Sequence, residues 1–273
     1  MYSKKLKSSV IVASVYATTL GGSRVLPDEE VELRFYEELN DFLPRHRRKR
    51  SFCHPLSGPR SVKDFIESLG VPHTEIDVIL VNGESVGFDH RLSGGERVAV
   101  YPVFERLDVS SVTRLRPEPL RDPKFIADVH LGKLARYLRL LGFDTVYDRD
   151  LDDAGIALRA RDERRIVLTR DRGLLKRNAV THAHAVRSMD PDDQLKEVVE
   201  AFDLQSRIAP FTRCLKCSGR VSEVDKAEVE HQLPKHTRRE YDRFHRCETC
   251  ASIYWPGAHF ARLRALVDSV SAE

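Results

Sequence analysis

Phe125-Ile126-Ala127-Asp128-Val129-His130-Leu131-Gly132-Lys133-Leu134-Ala135-Arg136-Tyr137-Leu138-Arg139-Leu140-Leu141-Gly142-Phe143-Asp144 is the stretch on which the fold of this chain turns. Three apolar residues read as a short buried strand. Leu131, Leu134, Ala135, Leu138 and Leu141 then recur at helical spacing and stop at Gly142, where a helix end favours glycine. The same alternation continues downstream. Residues 143–147, 165–169 and 183–187 read as further strands, and 153–163, 173–177 and 191–203 as helices. Strands that alternate with helices imply a parallel sheet with crossover helices, so the fold class is α/β.

In such a sheet ligands gather at the carboxyl ends of the strands. Asp128 ends the first strand and Asp171 follows the third, in Arg165-Ile166-Val167-Leu168-Thr169-Arg170-Asp171. Asp148 and Asp150 follow the second strand, and Asp153 opens the next helix. A single aspartate at a strand end more often caps the following helix. A set repeated along one sheet edge carries a cost in repulsion, and a hard divalent cation such as Mg²⁺ or Mn²⁺ relieves it. Two such ions can activate water and stabilise the leaving oxygen of a phosphodiester. Lys133, Arg136, Arg170, Arg172, Lys176 and Arg177 flank these acids and are candidates to hold the phosphates on either side of a cut, which positions a strand without reading it. Each is equally well a polar position on a surface helix. His130 lies beside Asp128 but reads as a packing or hydrogen-bonding residue, because a two-ion mechanism needs no base.

Four of the five cysteines form two Cys-x-x-Cys pairs, Cys214/Cys217 and Cys247/Cys250, leaving Cys53 over. Four thiolates in two knuckles are the ligand set of a closed structural zinc site with no place for a reacting water. A redox pair or an iron–sulfur cluster is the alternative. The usage favours a reducing compartment and a cytoplasmic location. Between the pairs, Tyr241 and Phe244 stand among Lys235, Arg238, Arg239, Arg243 and Arg246, an arrangement suited to stacking on unpaired bases.

The quoted stretch, with Arg165 to Asp171, resembles the Mut-7 C-terminal RNase domain family, a branch of the PIN-like nucleases, from about residue 124 to 267 including the ribbon. The resemblance implies that Asp128 and Asp171 are metal-binding acids and that Asp153, in Asp153-Ala154-Gly155-Ile156-Ala157, is the acid opening the central helix. Asp152 is a neighbour that would serve instead. A fourth acid is left among Asp148, Asp150 and Asp190.

Upstream, residues 31–39 alternate as a strand, Val62 to Leu69 reads as a helix closed by Gly70, and residues 77–81 and 97–102 are two more strands with an Asn82-Gly83 turn after the first. With Leu92-Ser93-Gly94-Gly95-Glu96-Arg97-Val98-Ala99-Val100-Tyr101-Pro102, this unit resembles the ubiquitin-like β-grasp sulfur carriers of the ThiS/MoaD type. Those carriers end in a free Gly-Gly, whereas here Pro102 runs on into Val103, so a binding role toward RNA, a ribosome or a protein is the expectation. Arg45-His46-Arg47-Arg48-Lys49-Arg50 would serve it.

The expected organisation is a flexible leader (1–27), a β-grasp domain (28–105), a Pro-rich linker (106–123), a PIN-like domain (124–208), and a zinc ribbon with a final helix (209–273). Lys4, Lys5 and Lys7 before Val10-Ile11-Val12-Ala13 mimic a signal peptide, but the serines and threonines around them dilute that reading. With 32% charged and 41% hydrophobic residues the chain excludes a mainly disordered protein, and a net charge of +3 is too balanced to announce nucleic-acid binding by itself. No apolar stretch is long enough for a membrane span. The functions expected are a metal-dependent ribonuclease, with tRNA or ribosome-associated RNA among its substrates, or a non-catalytic RNA- or ribosome-binding adaptor. A DNA nuclease of repair would use the same chemistry.

Overall fold

The computed structural model of the protein describes residues 29–102, 114–115 and 123–271. The expected leader, and the expected linker apart from residues 114, 115 and 123, lie outside the described residues. The chain divides into two compact units, Met1–Pro119 and Leu120–Glu273. Among the described residues no helix is long and apolar enough to cross a membrane.

The first unit is built on a mixed sheet of β1 (Glu30–Phe35), β2 (Phe52–Pro55), β4 (Ile76–Val81), β5 (Glu84–Ser85) and β7 (Arg97–Pro102), in the order β2-β1-β7-β4-β5. β1 and β7 run parallel in its centre and the other pairs are antiparallel. A two-stranded sheet of β3 (Arg60–Ser61) and β6 (Arg91–Leu92) accompanies α1 (Val62–Ser68), whose N-cap Ser61 accepts a hydrogen bond from the Asp64 N–H at 3.1 Å. Central parallel strands flanked by hairpins are the ubiquitin-like arrangement expected. The Asn82-Gly83 turn takes left-handed φ at both residues, +52° and +91°, as a two-residue hairpin needs. The strand expected over 31–39 stops at Phe35. Glu37 turns left-handed (φ +42°), a 3-10 helix spans Glu37–Phe42, and the Asn40 amide donates to the Phe35 and Glu37 carbonyls at 3.0 and 2.9 Å. A local side-chain bond thus closes the strand just where the apolar alternation of Val31, Leu33 and Phe35 gives way to Glu37.

In the second unit β8 (Phe125–Ala127), α2 (Gly132–Leu140), β9 (Thr145–Tyr147), α3 (Asp153–Asp162), β10 (Ile166–Thr169), α4 (Arg172–Leu175), β11 (Ala183–Ala185) and α5 (Pro191–Ala201) alternate as the periodicity predicts. All pairings are parallel and the order is β11-β10-β8-β9. Successive strands therefore build outward in opposite directions from β8 and β10, which makes the crevice at the carboxyl ends of these two neighbours the topological switch point. β8, β10 and β11 are buried along their whole lengths, as expected of strands covered on both faces.

Gly142 decides how the quoted stretch ends. Its φ of +98° lets its N–H reach the Arg139 carbonyl and the Phe143 N–H reach that of Leu138, the paired bonds that close a helix by a left-handed turn. A Cβ there would also stand 2.3 Å from the Ala209 carbonyl oxygen, because residues 209–211 run back along the end of α2 and bond the Leu140 and Leu141 carbonyls. Glycine is required twice over.

The ribbon is an antiparallel sheet of β12 (Val221–Val224), β13 (Phe244–Cys247) and β14 (Ile253–Tyr254) in that order, with α6 (Lys226–Val229) and α7 (Lys235–Glu240) between the first two. α8 (Phe260–Ser271) then returns to the parallel-sheet core, where Val267 and Val270 bury among Leu134, Leu138, Leu195 and Val198. Packing thus crosses residue 208/209, and the parallel sheet and the ribbon form one unit.

Candidate functional site

Leu168 lies opposite Ala127 in the β8–β10 ladder, so Asp128 and Thr169 leave the sheet side by side. Asp128 is only 6% exposed, and its Oδ2 accepts a 2.7 Å hydrogen bond from the Thr169 hydroxyl. The same hydroxyl accepts from the Asp171 N–H at 2.9 Å. One threonine thus fixes a buried carboxylate and the backbone of the next acid at the switch point. Asp171 is exposed and also caps α4, its Oδ1 accepting from the Gly173 N–H at 2.7 Å. Among the described residues no lysine or arginine forms an ion pair with Asp128 or Asp171.

Asp153 stands in the first turn of α3, and Arg177 Nη2 lies 3.9 Å from its Oδ2. Asp152, not Asp153, caps this helix by accepting from the Gly155 N–H at 2.8 Å, which leaves Asp153 free of that duty. Asp190 caps α5 and Asp148 accepts from the Asp150 N–H. Asp128, Asp153 and Asp171 share one sheet edge, yet among the described residues the donors found within 4.8 Å of one another as a group of three or more are the cysteines, not these acids.

The expected phosphate-binding residues divide. Lys133 and Arg136 are exposed on the first turns of α2, with the Lys133 ammonium over the Tyr137 ring at 5.5 Å from its centroid. Arg170, Arg172, Lys176 and Arg177 occupy the segment after β10, on the acidic edge. Arg170 donates to the Met189 sulfur, and Arg177 reaches Asp153. Tyr147, at the end of β9, bonds the Val129 carbonyl at 3.0 Å and lies over Gly132, where a Cβ would meet its ring at 2.7 Å. This explains the glycine at the head of α2.

Of the two aromatics in the ribbon's basic segment, Phe244 does not offer the stacking face expected of it, while Tyr241 is only partly buried. Phe244 is fully buried with Val224, Val229, Leu233 and Trp255, and Tyr241 packs on the same cluster. Their burial builds the small core of a sheet that has little other apolar surface. Arg239 remains exposed, Arg238 donates to the Leu233 carbonyl at 3.5 Å, and Arg246 pairs with Glu228 at 3.4 Å. The run at 45–50 is likewise partly consumed in the first unit: Arg47 lies over Phe52, and Arg48 donates to the Leu43 carbonyl.

Cys214, Cys217, Cys247 and Cys250 bring their sulfurs within 4.8 Å of one another, with two pairs at 3.5 Å. That is close to the ~3.8 Å edge of a tetrahedron built on ~2.3 Å zinc–sulfur bonds. Backbone N–H groups of Lys216, Thr249 and Cys250 approach the Cys214 and Cys247 sulfurs at 3.4 Å, and the Tyr254 hydroxyl meets the Cys214 sulfur at 3.0 Å. Such donors favour thiolates. Hydrogen bonds from Ser252 hold Cys250 down at about 6, whereas burial and the neighbouring sulfurs push Cys217 up to about 12. Proton loss from the latter must accompany metal binding. The residues present can hold a metal such as zinc.

The first knuckle is bolted to the opposite, amino edge of the parallel sheet. Arg139, 5% exposed on α2, donates to the Thr145 carbonyl at 2.8 Å and to the Leu215 and Lys216 carbonyls at 3.2 and 2.9 Å. The Ser218 hydroxyl accepts from the Thr145 N–H at 2.9 Å. Arg139, Thr169, Ser218 and Tyr254 were not singled out by the sequence. An arginine on the apolar face of the α2 pattern, four residues after Ala135, was the one available sign.

Fold and site together define a class, a doubly wound α/β domain with acids at its switch point and a four-cysteine ribbon, preceded by a ubiquitin-like unit. Residues 123–267, more than half of the chain, match the family model described as Mut7-C RNAse domain, and residues 28–108 match Mut7-C ubiquitin. The chain belongs to the Mut7-C RNase domain family. Among curated proteins and solved structures nothing matches significantly.

Proposed function

We propose that this protein is a divalent-metal-dependent ribonuclease of the PIN type that cuts RNA phosphodiester bonds at the carboxyl edge of its parallel sheet. The observation that carries the reading is the coupling of Asp128 and Asp171 through Thr169 at the switch point. Asp128 and Asp171, joined by Asp153 once Arg177 is drawn toward substrate, would hold Mg²⁺ or Mn²⁺. Such an ion, when bound, polarises the scissile phosphate and lowers the pKa of its water. The chain's own part is to fix the carboxylates before substrate arrives and to neutralise flanking phosphates with Lys133, Arg136, Arg170, Arg172, Lys176 and Arg177. The cysteine quartet binds zinc in a structural role, with Arg238 and Arg239 on the ribbon as further RNA contacts. The ubiquitin-like unit docks a protein or a ribosome, and the enzyme works in the cytoplasm.

The test is Mn²⁺-dependent cleavage of end-labelled unstructured RNA and tRNA, with DNA of the same sequence as competitor. Asp128→Asn and Asp171→Asn should each lower kcat/KM by about 100-fold or more, the scale of losing a group used in the transition state. Undiminished activity in either would overturn the assignment. Steeply salt-dependent RNA binding without cutting would favour the adaptor, and preference for DNA the repair nuclease.

A further inference from the structure

The loop between β11 and α5 is braced more heavily than a connection of its length needs. Glu197, 16% exposed at its side chain, accepts the N–H groups of Arg187 and Ser188 at 2.8 and 2.9 Å. Gln194, 5% exposed, donates its amide to the Ser188 and Met189 carbonyls at 3.0 and 3.4 Å. The Val186 N–H bonds the Thr169 carbonyl, so this loop leaves the sheet beside the residue that links the two acids. At its tip Met189 is 72% exposed, and its sulfur meets the guanidinium of Arg170, the residue between Thr169 and Asp171. A lone exposed methionine is ordinary. A methionine held on a rigid loop against an arginine that belongs to the acidic edge is a built surface.

From this we infer that Met189 and Arg170 form a nucleotide-gripping lip, which takes the base of an unpaired nucleotide next to the cut on the thioether and its phosphate on the guanidinium. The inference rests on the ribonuclease reading and narrows it to a substrate that is single-stranded at the cut. A thioether makes favourable contacts with aromatic rings but offers almost no hydrogen bonding, so the lip accepts any base while requiring its face to be free. Bases in a duplex present no free face. Arginine suits the neighbouring phosphate because its planar fork can hold two oxygens while the stem packs beside the base.

The experiment uses the full zinc-loaded chain and three fluorescent probes: a single-stranded oligoribonucleotide, its duplex, and the same strand with abasic positions. Binding is read by anisotropy without added Mn²⁺, and cleavage with it. Met189→Ala should weaken single-strand binding by about 3- to 10-fold, the range of a lost sulfur–ring contact. Binding of the duplex and abasic probes should change by less than 2-fold, and Met189→Leu should keep most of the affinity. Equal weakening on all probes, or none on the single strand, overturns the lip. If the binding pattern appears but wild-type protein cuts no RNA, the lip stands and the nuclease reading fails. If RNA is cut but Met189→Ala does not distinguish the probes, the lip fails alone.

Discussion

The two edges of the parallel sheet use their charged groups in different ways. At the amino edge Asp144 accepts both guanidinium arms of Arg165 at 3.0 and 3.4 Å, with Arg213 at 3.8 Å and the Ser218 hydroxyl at 3.4 Å. Burial by itself would raise its pKa, but the hydrogen bonds and charge of Arg165 hold it below the ordinary value. Burial lowers the pKa of Arg139 nearby, while the Cys217 and Cys214 sulfurs pull it back. At the carboxyl edge a hydroxyl, not a cation, stands between Asp128 and Asp171. An edge whose charges answer one another is architecture, and an edge where Asp128 and Asp171 have no lysine or arginine paired with them among the described residues, although Arg177 reaches Asp153, is prepared for something that arrives later.

Zinc removal should break the comparison most severely. Structural zinc contributes roughly 10–16 kcal/mol in zinc-finger peptides at neutral pH. Because Arg139 and Ser218 tie the first knuckle to α2 and β9, its loss should reach beyond the ribbon. Chelation, or Cys217→Ser, is expected to lower the Tm of the whole second unit by more than 10 °C, read by circular dichroism with bound zinc quantified. A parallel sheet that melts unchanged while the ribbon unfolds would show the amino edge to be a contact and not a foundation.

Arg139→Met removes one bolt and leaves the metal. The carbonyls of Thr145, Leu215 and Lys216 would lose a buried partner together, and the cysteine quartet, of net charge −2 with zinc bound, would lose a buried cation that interacts with the Cys217 and Cys214 sulfurs. About 3 kcal/mol of stability should go, measured by urea unfolding of zinc-loaded protein. Arg139→Lys should rescue little, because an ammonium cannot reach three carbonyls in the directions of the fork. A shift below about 0.5 kcal/mol would mean the arginine is a bystander.

The sequence made the carboxyl edge legible and left the amino edge dark, for a physical reason. Asp128 follows its apolar strand directly and Asp171 follows its own after one intervening residue, so their edge can be read from periodicity, and the cysteine spacing declares its own geometry. Arg139 reaches the Leu215 and Lys216 carbonyls, and Asp144 the Ser218 hydroxyl, across more than 70 residues of chain, which no local pattern reports. Phe244 failed as a stacking residue for the same reason, since a basic neighbourhood in sequence said nothing about which face a small sheet would bury. The strand read as far as Leu39 ends at Phe35, where the apolar alternation gives way to Glu37 and the Asn40 amide donates to the Phe35 and Glu37 carbonyls.

Glu197 tests whether satisfaction, not location, is the right criterion. It braces the loop at the carboxyl edge, so location alone would mark it as functional. Its carboxylate, however, meets His184 Nε2 at 3.1 Å and two backbone N–H groups, which hold its pKa down at about 2, although burial opposes them, from an ordinary 4.5. A carboxyl whose folded pKa is depressed stabilises fully above its unfolded value and loses that contribution as pH falls through the folded one. The stabilisation should therefore be present at pH 7 and vanish between about pH 4.5 and 2, amounting to about 3 kcal/mol at 1.36 kcal/mol per unit. Glu197→Gln should cost about that much at neutral pH and converge with wild type near pH 2, in urea midpoints followed across the range. Comparing the two proteins isolates Glu197 from Asp144 and Glu163, which titrate in both. A cost that persists unchanged into acid would show the bonds to be shape and not charge, and would remove the distinction between an acid already satisfied and one kept waiting.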